Sequence, residues 1–457
     1  MTTRFHLKPV RAAACFRLLA ISLCAWLVRS SLAAPQAHVE APAIDINVTS
    51  YRLRNGLRVV LSPDPSLPIV AVVVAYGAGS AREKEGQAGL AYFVENMMFQ
   101  GSENVGRLQH IGYIQKAGGD PNAQAGFDRT LFYQTLPGNQ LALALWLESD
   151  RMRSLTLSPG AVEKVRQDLL AEVARRVSSD VYSPSLADFD QLLYPDFLYG
   201  HPLVSEEDIK RLEAREVAEF YAAYYVPNNA VLCITGSFQP GRARELVARY
   251  FESIPPGPDI PVLGLPEFKQ EGEVTGRSLN PLAISPGFFL GYRFYPLRGE
   301  DPYALKVMEY VLLKGRTSRL YTRLMKKDRT AYSLNGWLEQ RGRVSALKIF
   351  VLNNNEILAE RSRKAVIAEM DRLRQTPVPE NELERARRLL KADFLRRVSS
   401  RLERAVMLAE MAVEERPFDS LEAELERYLK VGPQQLLSLA GRGLVPEKRV
   451  ALNLAVR

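Results

Sequence analysis

Residues 89–102 read Gly89-Leu90-Ala91-Tyr92-Phe93-Val94-Glu95-Asn96-Met97-Met98-Phe99-Gln100-Gly101-Ser102. Within this stretch Tyr92, Glu95, Asn96 and Phe99 fall at i, i+3, i+4 and i+7, which places them on one face of a helix. The pattern predicts a helix over about 87–100 that presents a glutamate between an aromatic and an amide side chain. The segments before and after this helix indicate the fold that surrounds it.

The segments on either side of the helix predict a mixed α+β unit. Asn55-Gly56 lies between two alternating stretches and predicts a hairpin over 51–61 with a two-residue turn. Ile69 to Tyr76 is a continuous apolar, β-branched run, typical of a strand buried on both faces. Further strands are predicted at 122–124, 130–135 and 230–236. Helices are predicted at about 107–116, 138–153, 159–177, over most of 184–225, and at 240–251.

The second half of the chain repeats this plan after a proline-rich segment. Residues 254–266 contain five prolines and two glycines, a composition typical of an extended linker. Beyond it, strands are predicted near 272–279, 285–294, 331–340, 343–352 and 449–456. Helices are predicted at 302–314, after Gly315, at 357–374, as one long helix over 380–415, and at 433–440. The repetition predicts two similar mixed α/β-sheet domains of one duplicated α+β fold.

The N-terminus has the features of an export signal. A basic region precedes the short apolar run Leu18 to Val28, and Ser31-Leu32-Ala33 offers small residues for cleavage. An uncleaved membrane anchor is the alternative, because Arg29 lies close to the cleavage site. We therefore predict a signal peptide at 1–33, a flexible lead-in at 34–48, a first domain at 49–253, a linker at 254–270 and a second domain at 271–457. The mature chain would have no stable membrane span and would be periplasmic or extracellular.

Signal removal changes the charge and the cysteine count. The formal charge of +8 falls to +3, since residues 1–33 contain five basic residues and no acid. This small excess gives no case for nucleic-acid binding. Cys233 is the one cysteine left, so an intrachain disulfide is excluded and stability must come from the core. The arginines of 380–415 are interleaved with acids and leucines, which favours a solvated amphipathic helix.

The first half resembles the pitrilysin/insulinase (M16) family of metallopeptidases, in its half-size, two-domain form. In that family a helix carries His-x-x-Glu-His, and a Met-x-Phe-x-Gly run follows. The frame matches here at Gly89, Glu95, Met98, Phe99 and Gly101. Both histidine positions differ, so the zinc motif is degenerate.

The resemblance also assigns positions to the remaining functional residues. Tyr92 and Asn96 stand at the two histidine positions, Glu95 at that of the general base, and Glu172 at that of the third zinc ligand. The segment containing Gly118, Gly119, Asn122 and Ala123 resembles the edge strand that binds substrate in the family. In the second half, residues 318–321 and 331–333 resemble the family's C-terminal signature. Tyr332 of that signature corresponds to a substrate-binding tyrosine.

The chemistry of the two replacements argues against zinc. A tyrosine phenol has a pKa of about 10 and must lose its proton to bind a metal well. Asn96 offers a neutral carbonyl oxygen, which suits hard cations such as Ca²⁺ or Mg²⁺ better than zinc. The remaining histidines, His38, His110 and His201, lie apart in the sequence and off the Tyr92 helix, so structural roles are expected for them. We expect no metal and no other cofactor, and a hydrogen bond from Tyr92 to Glu172 in place of the metal.

Three functions remain open on this basis. The first is a non-catalytic family member that binds unfolded peptides and helps to form the chamber of an active partner, a second M16-type subunit with intact His-x-x-Glu-His. The second is a metalloendopeptidase with an atypical metal site, in which Glu95 is the base and Glu172 a ligand. The third is a structural subunit without peptide chemistry.

Overall fold

The computed structural model describes residues 46–264, 268–279, 282–416 and 421–456, all within one compact unit that begins at Ile46. The predicted signal peptide and most of the predicted lead-in lie outside these ranges and stay predictions. Within the described ranges, no helix combines the length and the apolar character needed to cross a bilayer.

A six-stranded mixed sheet forms the centre of the first half. Its strands are β1 (Thr49–Arg52), β2 (Arg58–Pro63), β3 (Ile69–Tyr76), β4 (Asp120–Ala125), β5 (Thr130–Pro137) and β6 (Ala230–Gly236). Their order is β1-β2-β6-β3-β5-β4, which places β3 inside the sheet and β4 at one edge. Seven of the eight residues of β3 are buried, as its continuous apolar sequence predicts.

The helices of the first half follow the same order as the predicted ones. They are α1 (Leu90–Met97), α2 (Gln109–Lys116), α3 (Leu141–Arg153), α4 (Pro159–Ser179), α5 (Ser183–Leu193), α6 (Phe197–Gly200), α7 (Glu206–Arg211), α8 (Ala214–Tyr224) and α9 (Pro240–Phe251). Short 3-10 turns cover Ser80–Arg82, Gly138–Gln140 and Pro227–Asn229. The helix predicted at 87–100 is α1, and it is shorter than predicted at both ends.

The second half contains a five-stranded sheet and its own helices. The strands are β7 (Val274–Leu279), β8 (Gly287–Phe294), β9 (Ser333–Arg341), β10 (Val344–Leu352) and β11 (Arg449–Ala455). The helices are α10 (Asp301–Leu312), α11 (Arg319–Tyr321), α12 (Glu356–Gln375), α13 (Glu380–Ser399), α14 (Arg401–Val413), α15 (Leu421–Leu429) and α16 (Pro433–Gly443). A π-helical turn, Thr322–Lys327, follows α11, and a 3-10 turn covers Pro446–Lys448.

The two sheets repeat one topology. The order β2-β6-β3-β5-β4 in the first sheet matches β7-β11-β8-β10-β9 in the second. The pair β2/β6 is parallel, as is β7/β11, and the other pairs in both series are antiparallel. The predicted α+β class and its duplication are therefore confirmed.

Each half also covers part of the other half's sheet. Helix α14, from the second half of the sequence, packs against β3 and β6 of the first sheet. Helix α5, from the first half, packs against β7, β8 and β11 of the second sheet. Its residue Phe189 belongs to the same buried apolar cluster as Phe289 and Leu452. The predicted linker 254–270 separates the two sheets along the chain, while the helices cross between the halves.

The hairpin at Asn55-Gly56 is present, but its predicted two-residue turn is wrong. The Leu53 N–H donates to Leu57 O at 2.9 Å, which leaves three residues in the loop. Gly56 adopts a φ of 91° there. The Asn55 amide is buried and donates to Phe251 O at 2.8 Å and Ile254 O at 2.9 Å, so tertiary hydrogen bonds to the end of α9 determine the turn.

The single helix predicted over 380–415 is also wrong. Ser400 has extended backbone angles and separates α13 from α14, and its hydroxyl accepts from the Glu403 N–H at 3.3 Å. Serine is a favoured residue at this N-terminal position because it satisfies one of the free N–H groups of the helix. The break redirects the chain so that α14 reaches the first sheet. Helix α15 was absent from the sequence prediction.

Candidate functional site

Helices α1 and α4 bring Tyr92 and Glu172 together. The Tyr92 hydroxyl donates a hydrogen bond of 2.6 Å to Glu172 Oε1. Arg176, one turn along α4, places Nη2 3.1 Å from the same oxygen. Its guanidinium carbon lies 5.9 Å from the centre of the Tyr92 ring. The predicted Tyr92–Glu172 hydrogen bond is therefore present, and Arg176 is a third partner that the sequence interpretation missed.

Asn96 uses its amide within its own helix. The Asn96 Nδ2 group donates to the backbone oxygen of Tyr92 at 2.9 Å, one turn earlier in α1. An asparagine side chain commonly forms such local bonds with the backbone. We call Tyr92, Glu95, Asn96, Glu172 and Arg176 the Tyr92 cluster.

Glu95 is the most deeply buried carboxylate of the Tyr92 cluster, with 9% of its surface exposed. It accepts a hydrogen bond from the backbone N–H of Ala125, the last residue of edge strand β4. Its Oε2 atom is buried and has no hydrogen-bond partner among the described residues. Burial, with a smaller contribution from the Glu172 charge, raises the pKa of Glu95 to about 7, although Ala125 and Arg176 oppose the shift.

The donor set of the cluster does not fit a zinc site of the M16 type. Burial and, to a smaller extent, the hydrogen bond to Glu172 raise the pKa of Tyr92 above its ordinary value. The phenol therefore resists losing the proton, which metal binding would require. Glu172 already accepts from Tyr92 and Arg176. In the parts of the chain that the structure describes, no three His, Cys, Asp or Glu side chains are grouped so that they could hold a metal ion.

Two histidines have structural partners. His201 Nε2 lies 3.1 Å from Glu83 Oε2, and its ring stacks on Phe197 with centroids 4.3 Å apart. His110 is buried, with Nε2 3.2 Å from Gln134 Oε1. Burial, together with the Arg151 charge, lowers the pKa of His110 well below its ordinary value. His38 lies outside the described residues.

Edge strand β4 contains the predicted peptide-binding segment. Gly118 has a φ of 80°, which favours glycine. A Cβ on Gly119 would lie 2.5 Å from Thr135 O, so the chain can approach β5 there only without a side chain. Asn122 and Ala123 follow within β4, and among the described residues no strand pairs with its outer side. Ala125, at the end of the same strand, contacts Glu95, while the binding role of the four predicted residues stays a prediction.

Tyr332 lies at the other sheet, immediately before β9. Its N–H donates to Leu352 O at 3.2 Å, and 45% of the residue is exposed. Among the described contacts, none joins Tyr332 to the Tyr92 cluster. The Tyr332 phenol lies near Tyr182. Burial, and to a smaller extent this neighbouring phenol, raise the pKa of Tyr182.

Sequence reasoning missed two residues that shape the site. Arg176 stands four residues after Glu172, a spacing that indicates an ion pair on a helix, so this signal was available. Glu83 gave no such signal. It accepts from the N–H groups of Gly89 at 3.0 Å and Ala91 at 2.7 Å, and it thereby holds the start of α1.

Two family models match the chain. The model described as insulinase (peptidase family M16) matches residues 58–188, and the model described as peptidase M16 inactive domain matches residues 211–390. Zinc protease PqqE of Helicobacter pylori is 26% identical over 373 residues, which cover 80% of this chain and 83% of that protein. The beta subunit of the mitochondrial-processing peptidase of Blastocladiella emersonii is 25% identical over 50% of this chain and 48% of its own.

Solved structures share the fold. A protease from Helicobacter pylori superposes with a TM-score of 0.83 at 24% identity and covers 90% of this chain and 100% of its own. A peptidase M16 inactive domain from Pseudomonas fluorescens gives 0.80 at 18% identity, with 90% and 98% covered. The periplasmic protease PqqL from Escherichia coli gives 0.72 at 19% identity, with 89% of this chain and 47% of its own covered. The chain therefore belongs to the M16 peptidase family as a half-size member.

Proposed function

We propose that this protein is a non-catalytic M16 homologue, which binds unfolded peptides and forms part of the chamber of an active zinc metallopeptidase partner. The observation that carries the proposal is the hydrogen bond between Tyr92 and Glu172, two of the family's three zinc-ligand positions. A phenol bound to the third-ligand carboxylate replaces the metal as the link between α1 and α4. An extended peptide would add along the edge of β4 by displacing the Asn122 side chain from the Ala123 N–H.

Related proteins support the location and the kind of partner. The Escherichia coli relative is a periplasmic protease, which agrees with the export signal that the sequence predicts at 1–33. A mutant of the ferredoxin protease FusC, of which this chain matches 48%, has been solved in complex with Arabidopsis ferredoxin. We infer that this chain is exported and acts on the substrate-binding side of such an assembly, with a second M16 chain supplying His-x-x-Glu-His.

The competing function is a metalloendopeptidase with an atypical metal. One observation favours it: the pKa of Glu95, raised to about 7, suits a group that transfers protons near neutral pH. In that reading Glu95 is the base and Glu172 a ligand, and catalysis would need no partner. The two functions therefore differ in what the isolated chain does.

Metal content and cleavage by the purified mature chain separate them. We expect far less than one zinc per chain by mass spectrometry, because a protonated phenol and a neutral amide are poor zinc ligands. We also expect no cleavage of unstructured fluorogenic peptides by the chain alone. Mixing with an M16 chain that has an intact motif should give a complex and chelator-sensitive cleavage. Stoichiometric metal with cleavage by the isolated chain would overturn the proposal.

A matched pair of variants tests whether positions 92, 96 and 172 can together form a zinc site. The double change Tyr92→His/Asn96→His should create zinc binding near one equivalent, because Glu172 is already aimed at Tyr92 across the two helices. Adding Glu172→Ala to that variant should remove most of the binding. Failure of the double variant to take up zinc, with its fold intact by circular dichroism, would contradict the assignment of Glu172 to the third-ligand position.

A further inference from the structure

Edge strands β4 and β9 share a pattern in which backbone N–H groups on the outer edge donate to side chains. In β4 the Ala123 N–H donates to the Asn122 side chain at 2.8 Å, and in β9 the Gly336 N–H donates to the Asn335 side chain at 2.9 Å. Two residues later in each strand, an outward N–H donates to a helix glutamate. The internal repeat of the fold therefore extends to the hydrogen bonds along the two exposed edges.

Glu95 and Glu309 are the equivalent glutamates. Glu95 on α1 accepts from the Ala125 N–H, and Glu309 on α10 accepts from the Leu338 N–H at 3.3 Å. Helices α1 and α10 both follow the central strand of their sheet, β3 and β8 respectively. Each glutamate thus holds an edge strand from the helix beside it.

The second half neutralises its glutamate with two lysines. Lys306 Nζ lies 2.7 Å from Glu309 Oε2, and Lys314 Nζ lies 3.0 Å from Glu309 Oε1. Lys314 Nζ also lies 3.5 Å from the Gly336 carbonyl oxygen on β9. The edge of the second sheet is therefore closed by a carboxylate and two ammonium groups of the chain itself.

The first half has the carboxylate without the cations. Counted from the glutamate, Tyr92 stands where Lys306 stands and Gln100 where Lys314 stands. Gln100 is buried, and its side-chain oxygen accepts from Arg107. Among the described residues no ion pair to Glu95 occurs: the charge of Arg176 acts on Glu95, but its guanidinium pairs with Glu172.

We infer that the missing cation comes from the bound chain: the edge of β4 takes an extended peptide that carries a lysine, and its ammonium pairs with Glu95. This inference rests on the proposed peptide-binding function and names its ligand class, a basic peptide. The second half shows the geometry that we expect for this lysine. There the Lys314 ammonium lies between Glu309 and the Gly336 carbonyl oxygen of β9. The equivalent carbonyl on β4 is that of Ala123, which faces away from β5 since its N–H does.

Paired peptides provide the test. The probes are two unstructured, fluorescently labelled peptides that differ in one residue, lysine or glutamine, within a neutral sequence scanned over several positions. Measured by anisotropy at pH 8, the lysine peptide should bind at least about tenfold more tightly at its best position, as expected of a charge-assisted hydrogen bond in a partly dry site. In Glu95→Gln the preference should disappear.

Two further variants test whether the preference for lysine depends on the charge of Glu95. Asp168→Asn removes the same charge from the exposed face of α4 and should keep the preference. Tyr92→Lys places an ammonium at the position equivalent to Lys306 and should abolish the preference without any change at Glu95. Equal binding of both peptides by the wild-type protein, or a preference that survives Glu95→Gln, would overturn this inference alone. Binding of neither peptide would overturn the proposed peptide-binding function as well.

Discussion

Among single residues, Tyr92 and Asn96 stand at the two positions predicted for zinc histidines, and each has a hydrogen-bond partner of its own. The phenol reaches Glu172, and the Asn96 amide returns to the Tyr92 carbonyl, so both new polar side chains have partners inside the cluster. Glu95 is the exception, because one of its oxygens is buried without a hydrogen bond. A polar atom that is buried and unpaired costs free energy, so a hydrogen bond from a bound group to Glu95 would be stabilising.

Truncating the phenol tests the link between α1 and α4. We expect Tyr92→Phe to lower the free energy of unfolding by about 1–2 kcal/mol, since a half-buried hydrogen bond to a carboxylate is lost. A double-mutant cycle with Glu172→Gln, followed by urea unfolding, should give a coupling energy of about 1 kcal/mol. Additive effects of the two changes would show that the pair does not stabilise the fold.

At the scale of elements, the start of α1 depends on a carboxylate from outside the helix. The first N–H groups of a helix lack partners within it. Glu83 accepts two of them, from Gly89 and Ala91, and His201 in turn contacts Glu83. This arrangement fixes the end of the helix that carries Tyr92 and Glu95, and it explains why α1 begins later than its sequence pattern predicts.

Removing that acceptor should destabilise the protein. Glu83→Ala leaves two buried N–H groups unsatisfied, and we expect a loss of about 2–4 kcal/mol in the free energy of unfolding. Glu85→Ala is the matched control, because Glu85 is exposed and its truncation should change the value by less than about 0.5 kcal/mol. Chemical denaturation monitored by circular dichroism measures both. Similar effects of the two variants would refute the capping role.

At the scale of the whole molecule, contacts between the halves depend on exchanged helices and on buried charges. Asp64, in the loop between β2 and β3, lies 2.8 Å from Arg404 and 3.1 Å from Arg401 of α14. A second cluster joins Asp190 of α5 to Arg341 and Lys348 of the second sheet. Both clusters tie an exchanged helix to the sheet that it covers.

The Asp64 cluster should make stability depend on pH. Partial burial opposes the shift, but hydrogen bonds from Ser66 and Arg404 lower the pKa of Asp64 to about 2. A carboxylate with a depressed pKa contributes its stability above the ordinary pKa of about 4, and this is lost as the pH falls towards 2. We expect Asp64→Asn to cost about 1 kcal/mol at pH 7, after allowance for solvent screening, and progressively less as the pH falls through about 2. Urea unfolding across this range measures it, and a cost independent of pH would contradict the assignment.

Breaking the Asp190 cluster should lower the free energy of unfolding more than breaking the Asp64 cluster. Arg341 is 2% exposed and Lys348 1%, and Lys348 Nζ lies 2.6 Å from Asp190 Oδ1. Asp190→Ala leaves buried cations with one carboxylate, Glu339, so we expect a loss of about 3–5 kcal/mol in the free energy of unfolding. Gln191→Ala, at an exposed position of the same helix, is the control for helix effects. A loss below about 1 kcal/mol would show that the buried charges do not hold the halves together.

Local sequence patterns predict most of the elements and their repetition. Alternating and continuous apolar runs predict β3, β6 and β10, and the helix pattern places Tyr92, Glu95 and Asn96 on one face. These features depend on near neighbours along the chain, whose spacing fixes which side chains share a face. For the same reason the spacing of Arg176 from Glu172 was readable in advance.

The tertiary structure alone decided how distant segments meet. The burial of Asn55 against the end of α9 changed the hairpin turn, and the packing of α14 on the first sheet required the break at Ser400. Only the folded chain brings Glu83 to the start of α1, and only the folded chain places Glu95 against β4 and Glu309 against β9. Hydrogen bonds and ion pairs between residues far apart in sequence leave no periodic signal, so their partners become visible only when packing has set the distances.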